Sequence, residues 1–167
     1  LDLVAKNNLM ENKDSLLHVD AFAKHPVQGK RILRVYTNID QNGNDKHWKI
    51  GEDFCSVAKR FAPKVPRPML FSRLLMRLFR RTTNIRSLYD HYMLSIKSLM
   101  QKDKKYQSEC LSERVSFKAG STWMSFSDQV SYGVIPGQSV LEQVIYLPVS
   151  AMKSPEKSPL KTLQKFY

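Results

Sequence analysis

Leu17-His18-Val19-Asp20-Ala21-Phe22 is the stretch from which the rest of the chain is read. On an extended strand, side chains two residues apart point the same way, so the His18 imidazole and the Asp20 carboxylate share one side. Together they can grip one metal ion. A His-x-Asp pair is two thirds of a 2-His-1-carboxylate facial ligand set with open positions. A polar pair at a strand end has the same spelling, so the surrounding sequence has to decide between the two.

Working outward, the loop Lys24-His25-Pro26-Val27-Gln28-Gly29 leads into Arg31-Ile32-Leu33-Arg34-Val35-Tyr36-Thr37-Asn38, an alternating run of β-formers that predicts a strand. Arg34, Tyr36 and Asn38 fall on one face, which could turn a cation into a pocket, and Leu33, Val35 and Thr37 fall on the other. Asn42-Gly43 marks a turn within 40–45, and Trp48 to Ile50 reads as a short strand. Glu52 to Phe61 reads as a helix with Phe54, Val57, Ala58 and Phe61 inward, and Lys59 and Arg60 at its C-terminal end suit the helix dipole.

Pro63, Pro66 and Pro68 interrupt the pattern. Met69 to Arg81 predicts an amphipathic helix with Arg73, Arg77 and Arg80 opposite its apolar side; such a helix suits an anionic bilayer or a core contact with a solvated arginine face. Arg86 to Lys104 predicts a second helix with Leu88, Tyr92, Ile96 and Leu99 inward and His91 as a hydrogen-bonded histidine. The last third returns to β. Ser121 to Ser127 and Ser139 to Leu147 read as strands, Gly133 and Pro136-Gly137 as turns, and residues 152–167 as a C-terminal tail.

The chain has 167 residues, 42% of them apolar, which is enough for one domain with a core. No apolar run approaches the ~18 residues of a membrane span, and Leu1 to Asp14 show no secretory pattern. The expectation is a soluble or peripheral intracellular protein whose two cysteines, Cys55 and Cys110, are free thiols. Lys and Arg number 27 against 15 acids, a net +12, with nine basic residues and no acid from Lys59 to Arg86. That imbalance asks for an anionic partner. Nucleic acid is disfavoured, because the chain has no helix-turn-helix, zinc or aromatic-platform signature.

Several blocks occur together in order: His18-Val19-Asp20-Ala21-Phe22, Gln28 to Ile39, Arg60-Phe61-Ala62-Pro63, Tyr89-Asp90-His91, Gly120-Ser121-Thr122-Trp123, Ser127-Asp128-Gln129-Val130-Ser131 and Leu141-Glu142-Gln143. The sequence resembles the bacterial 3-deoxy-D-manno-oct-2-ulosonic acid (Kdo) hydroxylases from Leu17 to its C-terminus. The resemblance implies a mainly β fold, a double-stranded β-helix of the jelly-roll or cupin kind, incomplete at its N-terminus. It implies residues 1–16 as a remnant of the missing front, 17–151 as the core with a helical insert 52–104 packed outside it, and 152–167 as the tail.

It also implies an Fe(II)/2-oxoglutarate-dependent dioxygenase that uses O2 to hydroxylate the Kdo sugar of a lipid A precursor at its 3-position, from the cytoplasmic face of the inner membrane. His18 and Asp20 would hold the iron. Tyr132 stands where the family carries the second metal-binding histidine, and no histidine follows His91. Arg34, with Arg31 second, is the expected cation for the far carboxylate of 2-oxoglutarate, since a guanidinium matches a carboxylate bidentately. Gln143 and Gln138 are candidates for cosubstrate or sugar hydroxyls. The alternative is an inactive relative that keeps lipid or glycan binding.

Overall fold

Strand β1, Arg31–Asn38, forms where its alternation predicts. In the computed structural model, which describes residues 13–66 and 86–167, β1 is the centre of a sheet ordered β4-β1-β6, with β4 at Thr122–Phe126 and β6 at Val140–Leu147. Both neighbours are antiparallel; Tyr36 lies opposite Trp123 on one side and Glu142 on the other. A second antiparallel sheet is ordered β3-β2-β5, from β3 (Glu113–Phe117), β2 (Lys46–Asp53) and β5 (Val130–Val134).

The two sheets meet through aromatic rings. Tyr36 and Trp123 of the first sheet stack on each other at 5.4 Å and meet Trp48 of the second edge-on at 4.7 and 5.7 Å. Trp123 also stacks on Phe117 at 3.9 Å. Residues directly opposite in an antiparallel pair share a face, so Arg34, Tyr36, Trp123 and Glu142 line the inner face. Leu33, Val35, Met124, Phe126, Leu141, Gln143 and Ile145 form the outer one. The outer face is apolar and open, with Met124 69% and Leu141 51% exposed.

The larger hydrophobic cluster lies among the helices, where Phe54, Val57, Ala58 and Phe61 of α1 (Phe54–Phe61) meet Tyr92, Met93, Ile96 and Met100 of α2 (Leu88–Lys102). All four inward residues expected for α1 are buried. The helix begins two residues later than its periodicity suggests, because Asp53 caps it. The Asp53 carboxylate accepts from the Cys55 and Ser56 amides at 2.7 and 3.2 Å, and Glu52 belongs to β2. A cap contributes about 1 kcal/mol, whereas each large apolar side chain fully buried contributes about 1.5–3 kcal/mol. Packing therefore holds α1, and the cap sets where it starts.

The helix expected over Arg86 to Lys104 starts behind a Ser87/Asp90 capping box and stops at Asp103, which then caps α3, Lys104–Glu109. Its buried stripe runs through Tyr89, Tyr92, Met93, Ile96 and Met100, while Leu88 and Leu99 pack at its margin. His91 is hydrogen-bonded, as expected: its Nε2 donates to the Pro66 carbonyl at 2.8 Å.

One expectation needs correction, and one strand was absent from the sequence reading. Gly133 is not in a turn but inside β5, where a Cβ would stand 2.5 Å from the Ser15 carbonyl oxygen. Strand β3 was not anticipated, because its charged residues Glu113 and Arg114 and the exposed Ser116 leave it little apolar signal. Within residues 152–167, α4 (Pro159–Leu163) places Leu163 fully in the core. The basic helix expected at Met69 to Arg81 lies outside the described residues. Cys55 and Cys110 are free, as expected.

Candidate metal centre

His18 is held by its backbone before its side chain does anything. Its N–H donates to the Tyr132 carbonyl and its carbonyl accepts from the Tyr132 N–H, each at 2.9 Å. Two residues on, the Asp20 N–H donates to the Ser127 carbonyl at 3.0 Å. On the other side, the Gln107 amide clamps Leu17: its Oε1 accepts from the Leu17 N–H at 2.8 Å and its Nε2 donates to the Leu17 carbonyl at 2.9 Å. The segment is thus tied to β5 of the second sheet by an isolated bridge at His18 and to the end of β4 by Asp20. It needs close quarters, which is why Gly51 and Gly133 flank it; a Cβ at Gly51 would meet Ser131 Oγ at 2.6 Å and the Leu17 side chain at 3.3 Å.

This pairing puts three side chains together. His18 and Asp20 share a side by alternation, and Tyr132 joins them because it is the hydrogen-bonded partner of His18. The His18 and Tyr132 ring centroids are 4.9 Å apart. The structure therefore brings Tyr132 beside the pair, as expected from sequence.

The chemistry of the two donors fits a metal ion. His18 Nδ1 lies 2.7 Å from the Leu16 carbonyl, an oxygen that can only accept, so Nδ1 carries the proton and Nε2 carries the lone pair. Burial, with the Lys97 ammonium second, outweighs the Leu16 carbonyl and Asp20 and lowers the His18 pKa, which favours the neutral, ligating form. Asp20 is 2% exposed, and its Oδ2 lies 2.6 Å from Arg34 Nε. That contact is a close charge pair without an aligned hydrogen bond, so a buried carboxylate oxygen stays under-satisfied, as expected of a ligand without its ion.

The third donor is a phenol. Tyr132 is buried and stacked on Trp48 at 5.1 Å; burial first, and the Asp20 charge second, push its pKa well above the ordinary tyrosine value. At neutral pH it keeps its proton. Among the described residues no third histidine, cysteine or carboxylate completes the set.

The other expected site residues separate. Arg34 is on the inner face and touches the centre, but two carboxylates hold it: Asp20 through Nε and Glu142 through Nη1. Arg31 is three residues away on an alternating strand and cannot share that face. It is buried in a bidentate pair with Asp128, at 2.6 and 3.0 Å, and lies over the Phe126 ring. Its guanidinium is thus engaged by Asp128, away from His18 and Asp20. Gln143 sits opposite Val35 on the outer sheet face, turned away from the centre by the same register rule. Gln138 lies between β5 and β6 with a φ of 26°.

Sequence reading missed Glu142, Gln107 and Lys97. Lys97 on α2 is electrostatically coupled to His18 and Asp20, and its pKa is lowered by burial. Only Glu142 had a signal, its position next to Gln143 on the strand that pairs with β1.

A β-sandwich that presents a His-x-Asp pair into the space beside its inner face defines the class. The profile of the 3-deoxy-D-manno-oct-2-ulosonic acid (Kdo) hydroxylase family matches residues 3–167, and the chain belongs to that family. No curated protein matches. Among solved structures, the chain is similar to the Kdo hydroxylase KdoO, a non-haem Fe(II) α-ketoglutarate-dependent dioxygenase, in complex with succinate and Fe(III). That match has 45% identity and a TM-score of 0.89, covering 92% of this chain and 53% of that one. The complex of KdoO with α-ketoglutarate and Fe(III) matches at 43% identity and a TM-score of 0.90 over 96% and 55%. Its cobalt(II) complex matches at 43% and 0.90 over 96% and 54%. The chain thus spans little more than half the length of these relatives.

Proposed function

We propose that this chain, as part of a longer family protein, takes part in Fe(II)/2-oxoglutarate-dependent hydroxylation of the Kdo sugar of a lipid A precursor. The observation that carries the reading is the buried His18/Asp20 pair, with Nε2 of a neutral imidazole and an under-satisfied carboxylate oxygen side by side, in a chain of this family. Bound iron with O2 supplies C–H hydroxylation, in which 2-oxoglutarate is converted to succinate and CO2 and one oxygen enters the sugar. His18 and Asp20 would hold the ion, and Tyr132 occupies the third position.

In this reading the two sheets are part of a double-stranded β-helix that the additional length of the relatives completes. The open apolar outer face of β4-β1-β6 is surface that such a completion covers. The protein works at the cytoplasmic face of the inner membrane, drawn there by its net +12 and the basic block from Lys59 to Arg86. Among the described residues no helix is long and apolar enough to cross a membrane.

The test is mass spectrometry of lipid A-Kdo from cells with and without the gene. A gain of one oxygen on Kdo is the expected result. Identical Kdo masses in both strains would remove the proposal.

A further inference from the structure

The cation at the centre is already engaged. Arg34 lies between Asp20, 2% exposed, and Glu142, 36% exposed, and its guanidinium lies over the Phe22 ring at 5.3 Å. Glu142 is opposite Tyr36 across β1 and β6, so it is a diagonal neighbour of Arg34 on the inner face. Three contacts, two from the 17–22 segment and one from β6, fix one guanidinium. A side chain held in this way is suited to hold another group still, and the group it meets at 2.6 Å is the Asp20 carboxylate.

We propose that Arg34, oriented by Glu142, is a positioning residue for Asp20 and does not anchor the far carboxylate of 2-oxoglutarate. The inference rests on the reading of His18 and Asp20 as metal ligands. Arg34 meets Asp20 at Oδ2 without closing an aligned hydrogen bond, so it fixes the carboxylate's orientation while leaving that oxygen under-satisfied. Charge explains why Glu142 is needed. Asp20 and Arg34 alone sum to zero, and Lys97 and Asp14, which also act on His18, cancel each other; adding Glu142 returns the cluster to a net charge of −1. Glu142 therefore lets a cation sit behind a ligand carboxylate without cancelling it. Outer partners that orient metal ligands typically affect affinity by 10 to 100-fold.

The test is a Co(II) titration without 2-oxoglutarate, followed by the visible spectrum of the bound ion, on the parent protein, Glu142→Gln, Arg34→Gln, Arg34→Lys and a His18→Ala control. 2-Oxoglutarate binding to the Co(II)-loaded forms is measured separately, and circular dichroism melts check folding. Glu142 lies at the half-exposed rim, so Glu142→Gln keeps the fold. We expect it to weaken Co(II) by about 10-fold and Arg34→Gln by about 10 to 100-fold. Arg34→Lys should recover part of the loss, since an ammonium can reach one carboxylate but not fork between two. Unchanged Co(II) affinity in both neutral variants with weakened 2-oxoglutarate binding would overturn the proposal and make Arg34 the cosubstrate anchor. Tighter Co(II) in Arg34→Gln would overturn it differently, making Arg34 a competitor for Asp20. A parent protein that binds no Co(II), or binds it equally in His18→Ala, would refute the metal reading itself.

Discussion

Replacing Tyr132 by histidine should make the protein less stable without metal and more stable with it. The apo cost follows from the packing. Tyr132 is 3% exposed, stacked on Trp48 and tilted against His18. A smaller ring loses part of an aromatic contact worth about 0.5–1.5 kcal/mol and some buried area, together about 1–3 kcal/mol. At about 2–4 °C per kcal/mol for a protein of this size, the apo melting temperature should fall by about 2–12 °C.

The metal term has the opposite sign. An imidazole in place of a protonated phenol adds a strong nitrogen ligand, which should tighten binding by at least the 10 to 100-fold seen for weaker outer contacts. With Co(II) at a hundred times the Kd of the variant, the ion stabilises Tyr132→His by about 2.7 kcal/mol. The same concentration is one to ten times the parent Kd and stabilises the parent by only about 0.4–1.4 kcal/mol. Melts with and without Co(II), paired with calorimetric titration, read both effects. A parent that binds Co(II) at least as tightly as the variant, with a phenolate-to-metal absorption band, would refute the reasoning and make Tyr132 a working ligand.

Other perturbations test the frame around the centre. Gly133→Ala forces a Cβ toward the Ser15 carbonyl, 2.5 Å away, and should cost about 1–3 kcal/mol in chemical denaturation; an unchanged midpoint would mean that the N-terminal segment does not lie against β5. Gln107→Ala removes both hydrogen bonds to the Leu17 backbone and should raise hydrogen exchange across Leu17 to Asp20, with a loss of about 1–3 kcal/mol. Breaking the buried Arg31/Asp128 pair by Asp128→Asn should cost about 3–5 kcal/mol by leaving Arg31 uncompensated; a loss under 1 kcal/mol would show the pair to be solvated. Reversing charge at Arg73, Arg77 and Arg80 should weaken binding to phosphatidylserine vesicles strongly, since each basic residue near such a surface contributes about 1 kcal/mol, and unchanged binding would refute that use of the basic block.

Legibility in the sequence followed the physics of each segment. β1 was readable because its alternation is regular, and α1 because Phe54, Val57, Ala58 and Phe61 sit at helical spacing. The place of Tyr132 came from the family resemblance and not from local periodicity, since its bridge to His18 is a long-range pairing. β3 was hidden because its exposed face is charged and its buried face holds only Val115 and Phe117, both partly covered. β5 was hidden by Gly133, which admits the close approach of the Ser15–Leu16 backbone and does not make a turn. Arg31 and Arg34 illustrate a different failure. Both are arginines on one strand and both looked suited to a carboxylate, but an odd spacing sends them to opposite faces. Gln143 was misjudged in the same way: its distance from the centre depends on register with Val35, a long-range fact that no local pattern contains.

The aromatic contact between the sheets also gives the protein an optical handle. Its two tryptophans, Trp48 and Trp123, both belong to the ring cluster around Tyr36, and Trp48 stacks directly on the residue beside His18. All indole emission from the molecule therefore originates within this cluster. A paramagnetic ion at His18 and Asp20 would sit one ring away from Trp48 and quench that emission, whereas Zn(II) would fill the same place without quenching it. Fluorescence alone can then report occupancy of the centre without any label.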